Sequence, residues 1–132
     1  MVTALMIRPG EQPCVSQILD DADFLNAAVS YGADMLCTAA AVPVERGIIA
    51  IYAWEGVMAG LPGNRKVGKR ILAGTFYIVR EINGDLYSLD EDDIARLSFQ
   101  FRKLREYTDD EVIDSWFDGL YLACNKETYR HI

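Results

Sequence analysis

Apolar residues recur in short runs separated by glycine, proline and aspartate, and each run predicts an element. Residues 2–8 (VTALMIR) are apolar with β-branched members and stop at Pro9-Gly10, which predicts a strand closing in a turn. Cys14–Ile18 is a second short extended piece. Asp20 or Asp21 caps a helix whose apolar face is Phe24, Leu25, Ala28 and Val29, ending near Gly32. Met35–Val44 is ambiguous, since its alanines suit a helix and its neighbours a strand, and Pro43 ends it. Ile48–Trp54 (IIAIYAW) is strongly β, bounded by Gly47 and by a hairpin turn at Glu55-Gly56.

Residues 57–70 read as a loop rich in glycine and cations, followed by one long strand from Ile71 to Ile82. Asn83-Gly84-Asp85 is the sharpest hairpin signal, because Asn-Gly supplies the positive φ angles that such turns demand. Leu86–Leu89 returns as a short strand. Asp90 caps a helix with Ile94, Leu97, Phe101 and Leu104 at helical spacing. Thr108 and Glu111 form a capping box for a second helix carrying Val112, Ile113, Trp116, Phe117, Leu120 and Cys124. The two helices form a hairpin joined near Glu106–Thr108, with Trp116 largely buried.

The expected fold is therefore α+β: a single domain over 1–132, divided into a core over 1–105 and a C-terminal helix over 106–132. Its sheet is mostly antiparallel with four or five strands, one helix packs on it, and a helical hairpin completes it. The 132 residues and 51% hydrophobic content suffice for one core. The N-terminal MVTALMI breaks at Arg8, Pro9 and Gly10, so no signal peptide is expected. Met35–Val44 is about half of the ~20 residues of a membrane helix, so no membrane partner is expected. Cys14, Cys37 and Cys124 are odd in number and widely spaced, which predicts free thiols and a cytoplasmic location.

Charge alters the picture through its placement. Residues 1–80 hold seven bases and seven acids, whereas residues 81–132 hold six bases and thirteen acids, so the net charge of −7 belongs to the C-terminal part. Against that background GNRKVGKR, residues 63–70, carries four bases and no acid. Gly63, Gly68 and Lys69 satisfy most of a phosphate-loop pattern, but Arg70 stands where a magnesium-binding hydroxyl belongs and a strand follows instead of a helix. A solvated turn whose lysines protect an edge strand is the plainer reading. Trp54, Tyr52, Tyr77 and Tyr87 could add an aromatic patch of the kind that single-stranded nucleic acid stacks upon.

Catalytic chemistry finds few parts. His131 is the sole histidine, and the acid runs Asp90–Asp93 and Asp109–Glu111 fall on helix N-termini, where carboxylates stabilise the exposed amides. No catalytic residue, metal ligand or cofactor is assigned.

Arg8-Pro9-Gly10-Glu11, Gly60-Leu61-Pro62 with Asn64-Arg65, Ala73-Gly74-Thr75, and Ser88-Leu89 before acids resemble the Domain of Unknown Function 3846 family over roughly residues 2–100. At Tyr52–Gly56, where the family tends to Asn-Glu-Glu-Gly, only Glu55-Gly56 survives. The resemblance implies an uncharacterised accessory protein of phages or conjugative elements. It makes Asn64 and Arg65 the first candidates for a shared role, against a structural one in which Asn64 adopts a left-handed turn and Arg65 braces a carboxylate.

The expectation is a non-catalytic interaction module of a mobile genetic element, contacting a protein partner through the 63–70 loop or the acidic helical tail. Candidate contact residues are Asn64, Arg65, Lys66, Lys69, Arg70, Trp54 and Glu55. Nucleic-acid or nucleotide binding through the same loop is the first alternative, and a small carboxylate- or thiol-dependent enzyme the second.

Overall fold

A computed structural model of the chain describes residues 1–117. Strands β1 (Val2–Ile7), β2 (Cys14–Ile18), β3 (Ala39–Glu45), β4 (Ile48–Ala53), β7 (Phe76–Ile82) and β8 (Asp85–Tyr87) build one sheet ordered β2-β1-β7-β4-β3, with β8 pairing β7. Every pairing is antiparallel. A separate hairpin joins β5 (Gly63–Val67) to β6 (Arg70–Ala73). Helices α1 (Ala22–Val29) and α2 (Glu91–Gln100) precede a third helical stretch over 109–117. The α+β class is as expected, but the sheet has six strands instead of four or five.

Both faces of the sheet are covered, which explains why its central strands read as unbroken apolar runs. In β7, Phe76 and Ile78 point to one face and Tyr77 and Val79 to the other, following the period of two. Ile51, Ala53, Tyr77 and Val79 share a core with Val29, Phe24 and Leu25 of α1. Ile48, Ala50, Phe76 and Ile78 share the opposite core with Leu97 of α2 and with Val67 and Leu72 of the hairpin. Thus α1 and α2 occupy opposite faces of the sheet.

Local signals at the turns and caps are realised. Arg8–Glu11 closes as a turn, with the Glu11 amide donating to the Arg8 carbonyl at 3.2 Å. Asn83 (φ 53) and Gly84 (φ 87) make the β7–β8 turn. Asp21, and not Asp20, caps α1 by accepting from the Phe24 amide at 2.9 Å, while Asp20 accepts from the Leu86 amide. Asp90 and Asp93 form a reciprocal capping box on α2, and Thr108 pairs with Glu111 at the start of the last helix.

Other boundaries differ from the sequence reading. The run from Ile71 to Ile82 is two strands in different sheets, because Gly74 (φ +82) turns the chain between them. A side chain at Gly74 would also meet Leu61 Cδ1 at 2.6 Å. The expected loop over 57–70 contains β5. Pro43 lies inside β3, opposite Ile49, which is possible because β3 is an edge strand and needs no donor on its outer side. Glu55-Gly56 makes no hairpin, since β4 leads to β5 in the other sheet. Leu86–Leu89 shortens to β8, and Leu104 lies beyond α2 and is 50% exposed.

The link between the last two helices is longer than Glu106–Thr108, for residues 102–108 carry no helix. Val112, only 4% exposed, anchors the final helix in the α1-side core, and the Ile71 amide donates to Ser115 Oγ at 2.8 Å. Trp116 is half-buried, less than expected. The sequence assignments at Leu120, Cys124 and His131 lie outside the described residues. Cys14 and Cys37 are free thiols.

Candidate functional site

The β5–β6 hairpin breaks strand alternation at Asn64. Gly63 pairs with Ala73 and Arg65 with Leu72, so Asn64 is an extra residue on one strand. This bulge turns Asn64 and Arg65 inward together, to 1% and 4% exposure. Beyond it the alternation resumes, with Lys66 outward and Val67 inward. Gly68 and Lys69 form the exposed tip.

Asn64 Nδ2 donates to the carbonyls of Ile7 and Gly74, both at 2.8 Å. Arg65 Nη1 donates to Asn64 Oδ1 at 2.8 Å and to the Arg8 carbonyl at 3.4 Å, Nη2 to the Glu11 carbonyl at 2.6 Å, and Nε to the Phe101 carbonyl at 3.1 Å. The pair therefore clasps the β1–β2 turn, the Gly74 break and the end of α2 to the hairpin. Burial pulls the Arg65 pKa below the ordinary arginine value, offset in part by the Tyr107 hydroxyl. Its bonded acceptors are carbonyl and amide oxygens, so it braces backbone and not a carboxylate. Asn64 is also not left-handed, since Asn83 alone among the described non-glycine residues has positive φ.

Arg70 lies 5.5 Å from the Trp54 ring centroid and 5.8 Å from that of Tyr52, and it donates to the Tyr52 hydroxyl. Burial pushes the Tyr52 hydroxyl pKa up, against the lowering effect of Arg70. Glu55 is engaged elsewhere, with both carboxylate oxygens accepting from the Thr38 amide at 3.0 and 2.9 Å. The seven candidates thus separate: the buried clasp of Asn64 and Arg65, Glu55 past the end of β4 on the Thr38 amide, Arg70 beside Trp54, and the exposed Lys66 and Lys69 of the hairpin. Tyr77 is buried in the α1-side core and Tyr87 lies on β8, so neither extends an aromatic patch at the hairpin.

Gly63–Val67 is a strand and Gly68-Lys69 a hairpin tip, so no helix N-terminus presents amides to a phosphate here. The acid runs also have structural duties. Asp93 is held by Arg80 at 2.5 Å and Arg96 at 3.1 Å, and Glu45 also pairs with Arg96. The Cys37 thiol is pushed up chiefly by burial, away from nucleophilic character. Among the described residues no group of three or more His, Cys, Asp or Glu side chains could hold a metal ion. No described helix is long and apolar enough to cross a membrane.

The profile of a family described as a domain of unknown function, DUF3846, matches residues 2–102. No curated protein and no solved structure matches the chain. The match ends one residue past Phe101, whose carbonyl is the last acceptor of the clasp, so every residue that Asn64 and Arg65 bind falls within it.

Proposed function

We propose, for a chain that belongs to the DUF3846 family, a non-catalytic interaction module of a mobile genetic element that engages an acidic protein partner through the outer surface of the β5–β6 hairpin. One contrast carries this reading. Arg8, Arg80, Arg96 and Arg105 each lie within 4 Å of a carboxylate, whereas Lys66, Lys69 and Arg70 make no ion pair among the described residues and, unlike the scattered Arg46, Arg102 and Lys103, fall on a single hairpin. Three cations without an ion pair on one hairpin, in a chain of net charge −7, form a local field of opposite sign to the whole. Arg70, spread over Trp54 and Tyr52, adds a planar donor whose stem needs little further ordering on binding.

The accessory role is an expectation drawn from the resemblance alone, and the hairpin is its proposed contact surface. Nucleic acid is the weaker occupant, because Tyr52 is 4% exposed and Trp54 is partly covered, leaving little open ring for bases. The test is co-expression with the proteins encoded beside the chain, followed by capture of the parent and of a Lys66→Glu/Lys69→Glu variant. Retention of an acidic partner that weakens with salt and falls about tenfold in the variant, at unchanged melting temperature, is expected. Capture indifferent to the charge reversal, or tight binding of single-stranded oligonucleotide lost in the same variant, would sink the protein-partner reading.

A further inference from the structure

On the far side of the clasp, a cleft of about 240 Å³ opens between the Arg8–Glu11 turn, the Tyr31-Gly32 exit from α1, Leu61-Pro62 and Gly74-Thr75. Apart from Tyr31 and Gly32, its lining comes from three segments that carry the family resemblance, and the hairpin surface uses none of them. The volume falls below the about 300–1,000 Å³ of sites for drug-sized molecules, so the cleft admits only a small ligand or the end of a larger one.

Its polar equipment centres on Arg8. The guanidinium lies 5.1 Å from the Tyr31 ring centroid and 3.9 Å from Glu11 Oε2, beyond hydrogen-bond reach. Arg8 Nε is buried without a partner, although Arg65 fixes the Arg8 backbone by its carbonyl. Arg8 is therefore positioned by its main chain and the Tyr31 face, while its planar fork of donors lacks a matching acceptor. Pro9, Leu61 and Pro62 add apolar surface to the cleft lining.

The geometry points to a binding site for a carboxylate borne on a compact apolar body, with the carboxylate on the Arg8 guanidinium and the body against Leu61 and Pro62. A planar monoanion matches the guanidinium fork. A phosphate dianion would meet stronger repulsion from Glu11, whose side chain is 60% exposed and free to swing aside for a single charge. Two sources supply this chemistry: a free aromatic or aliphatic acid, and the C-terminal carboxylate of a peptide ending in an apolar residue.

Amide resonances of the full chain, followed by NMR during titration, test the site. The probes are phenylacetate, phenylacetamide, and a tripeptide ending in leucine with a free or an amidated terminus. Phenylacetate should shift Gly32, Gly74 and Thr75 and bind about tenfold or more tighter than phenylacetamide. Arg8→Gln should abolish that preference, Tyr31→Ala should weaken it, and Glu11→Gln should tighten the acid by removing the competing charge. All three replaced side chains are at least partly exposed, so the variants should keep the parent's spectral dispersion. If the free-terminus peptide outbinds phenylacetate, the source is a chain end; the reverse order identifies a free acid. Equal affinity for acid and amide, no shifts at these residues, or an acid preference that survives in Arg8→Gln would overturn the site.

Discussion

Arg65 Nη1 donates to Asn64 Oδ1 at 2.8 Å, so two consecutive polar side chains form one buried unit that reaches three separate parts of the chain. Removing Asn64 strands the carbonyls of Ile7 and Gly74 at a buried site, and each unsatisfied group costs about 1–3 kcal/mol. Asn64→Ala should therefore lose about 2–4 kcal/mol by urea denaturation. Arg65→Lys should not restore the parent, because one ammonium cannot reach acceptors fixed around a guanidinium. The double variant should lose less than the sum, by about 0.5–3 kcal/mol. Additive losses would mean that the two side chains act separately.

Gly63 lets the final helix sit against the hairpin. A Cβ there would meet Val112 Cγ2 at 2.7 Å and Tyr107 Cβ at 3.1 Å. Val112→Ala should cost about 1–3 kcal/mol as a cavity, and Gly63→Ala a similar amount as overpacking. Combined, the added methyl fills part of the space that Val112 vacates, so the pair should be less destabilised than the sum. Thermal melts of the four proteins measure it, and strict additivity would place the helix elsewhere.

Stability should also depend on acid through Asp93. Burial alone would raise this carboxyl, but hydrogen bonds from Arg80, the Asp90 backbone and Arg96 outweigh it and lower the pKa below the ordinary 3.8. The unfolded chain then binds the proton more readily than the folded one. The contribution is complete above the ordinary value and disappears as pH falls through the lowered folded value. The urea midpoints of the parent and Asp93→Asn should differ by a constant amount above about pH 5, and the gap should close below about pH 4. A gap that persists into strong acid would assign the effect to the cap geometry alone.

Thiol reactivity should follow burial. Cys14 is exposed on the edge strand β2, whereas Cys37 is 1% exposed and its thiol is pushed up by burial. In a Cys124→Ser background, a chromogenic disulfide reagent should give one fast phase and one slower by at least about tenfold. Cys14→Ser should remove the fast phase. Two equal fast phases would show that Cys37 opens to solvent far more readily than its packing allows.

What the amino-acid sequence determined by itself was local. The Asn83-Gly84 turn, the Asp90 and Thr108–Glu111 caps, and the apolar runs of β1 and β4 each depend on φ preferences, side-chain pattern or hydrogen bonds within a few residues, and they stand where the sequence puts them. Tertiary structure decided the rest. Ile71 to Ile82 reads as one strand until Leu61 packs beside Gly74 and the chain turns there. Four bases over 63–70 read as one solvated loop until the bulge at Asn64 sends Arg65 inward and leaves Lys66 and Lys69 outside. A buried arginine needs acceptors, and those of Arg65 come from Arg8, Glu11, Asn64 and Phe101, positions as much as 93 residues apart that only the finished fold brings within 3.4 Å of one guanidinium.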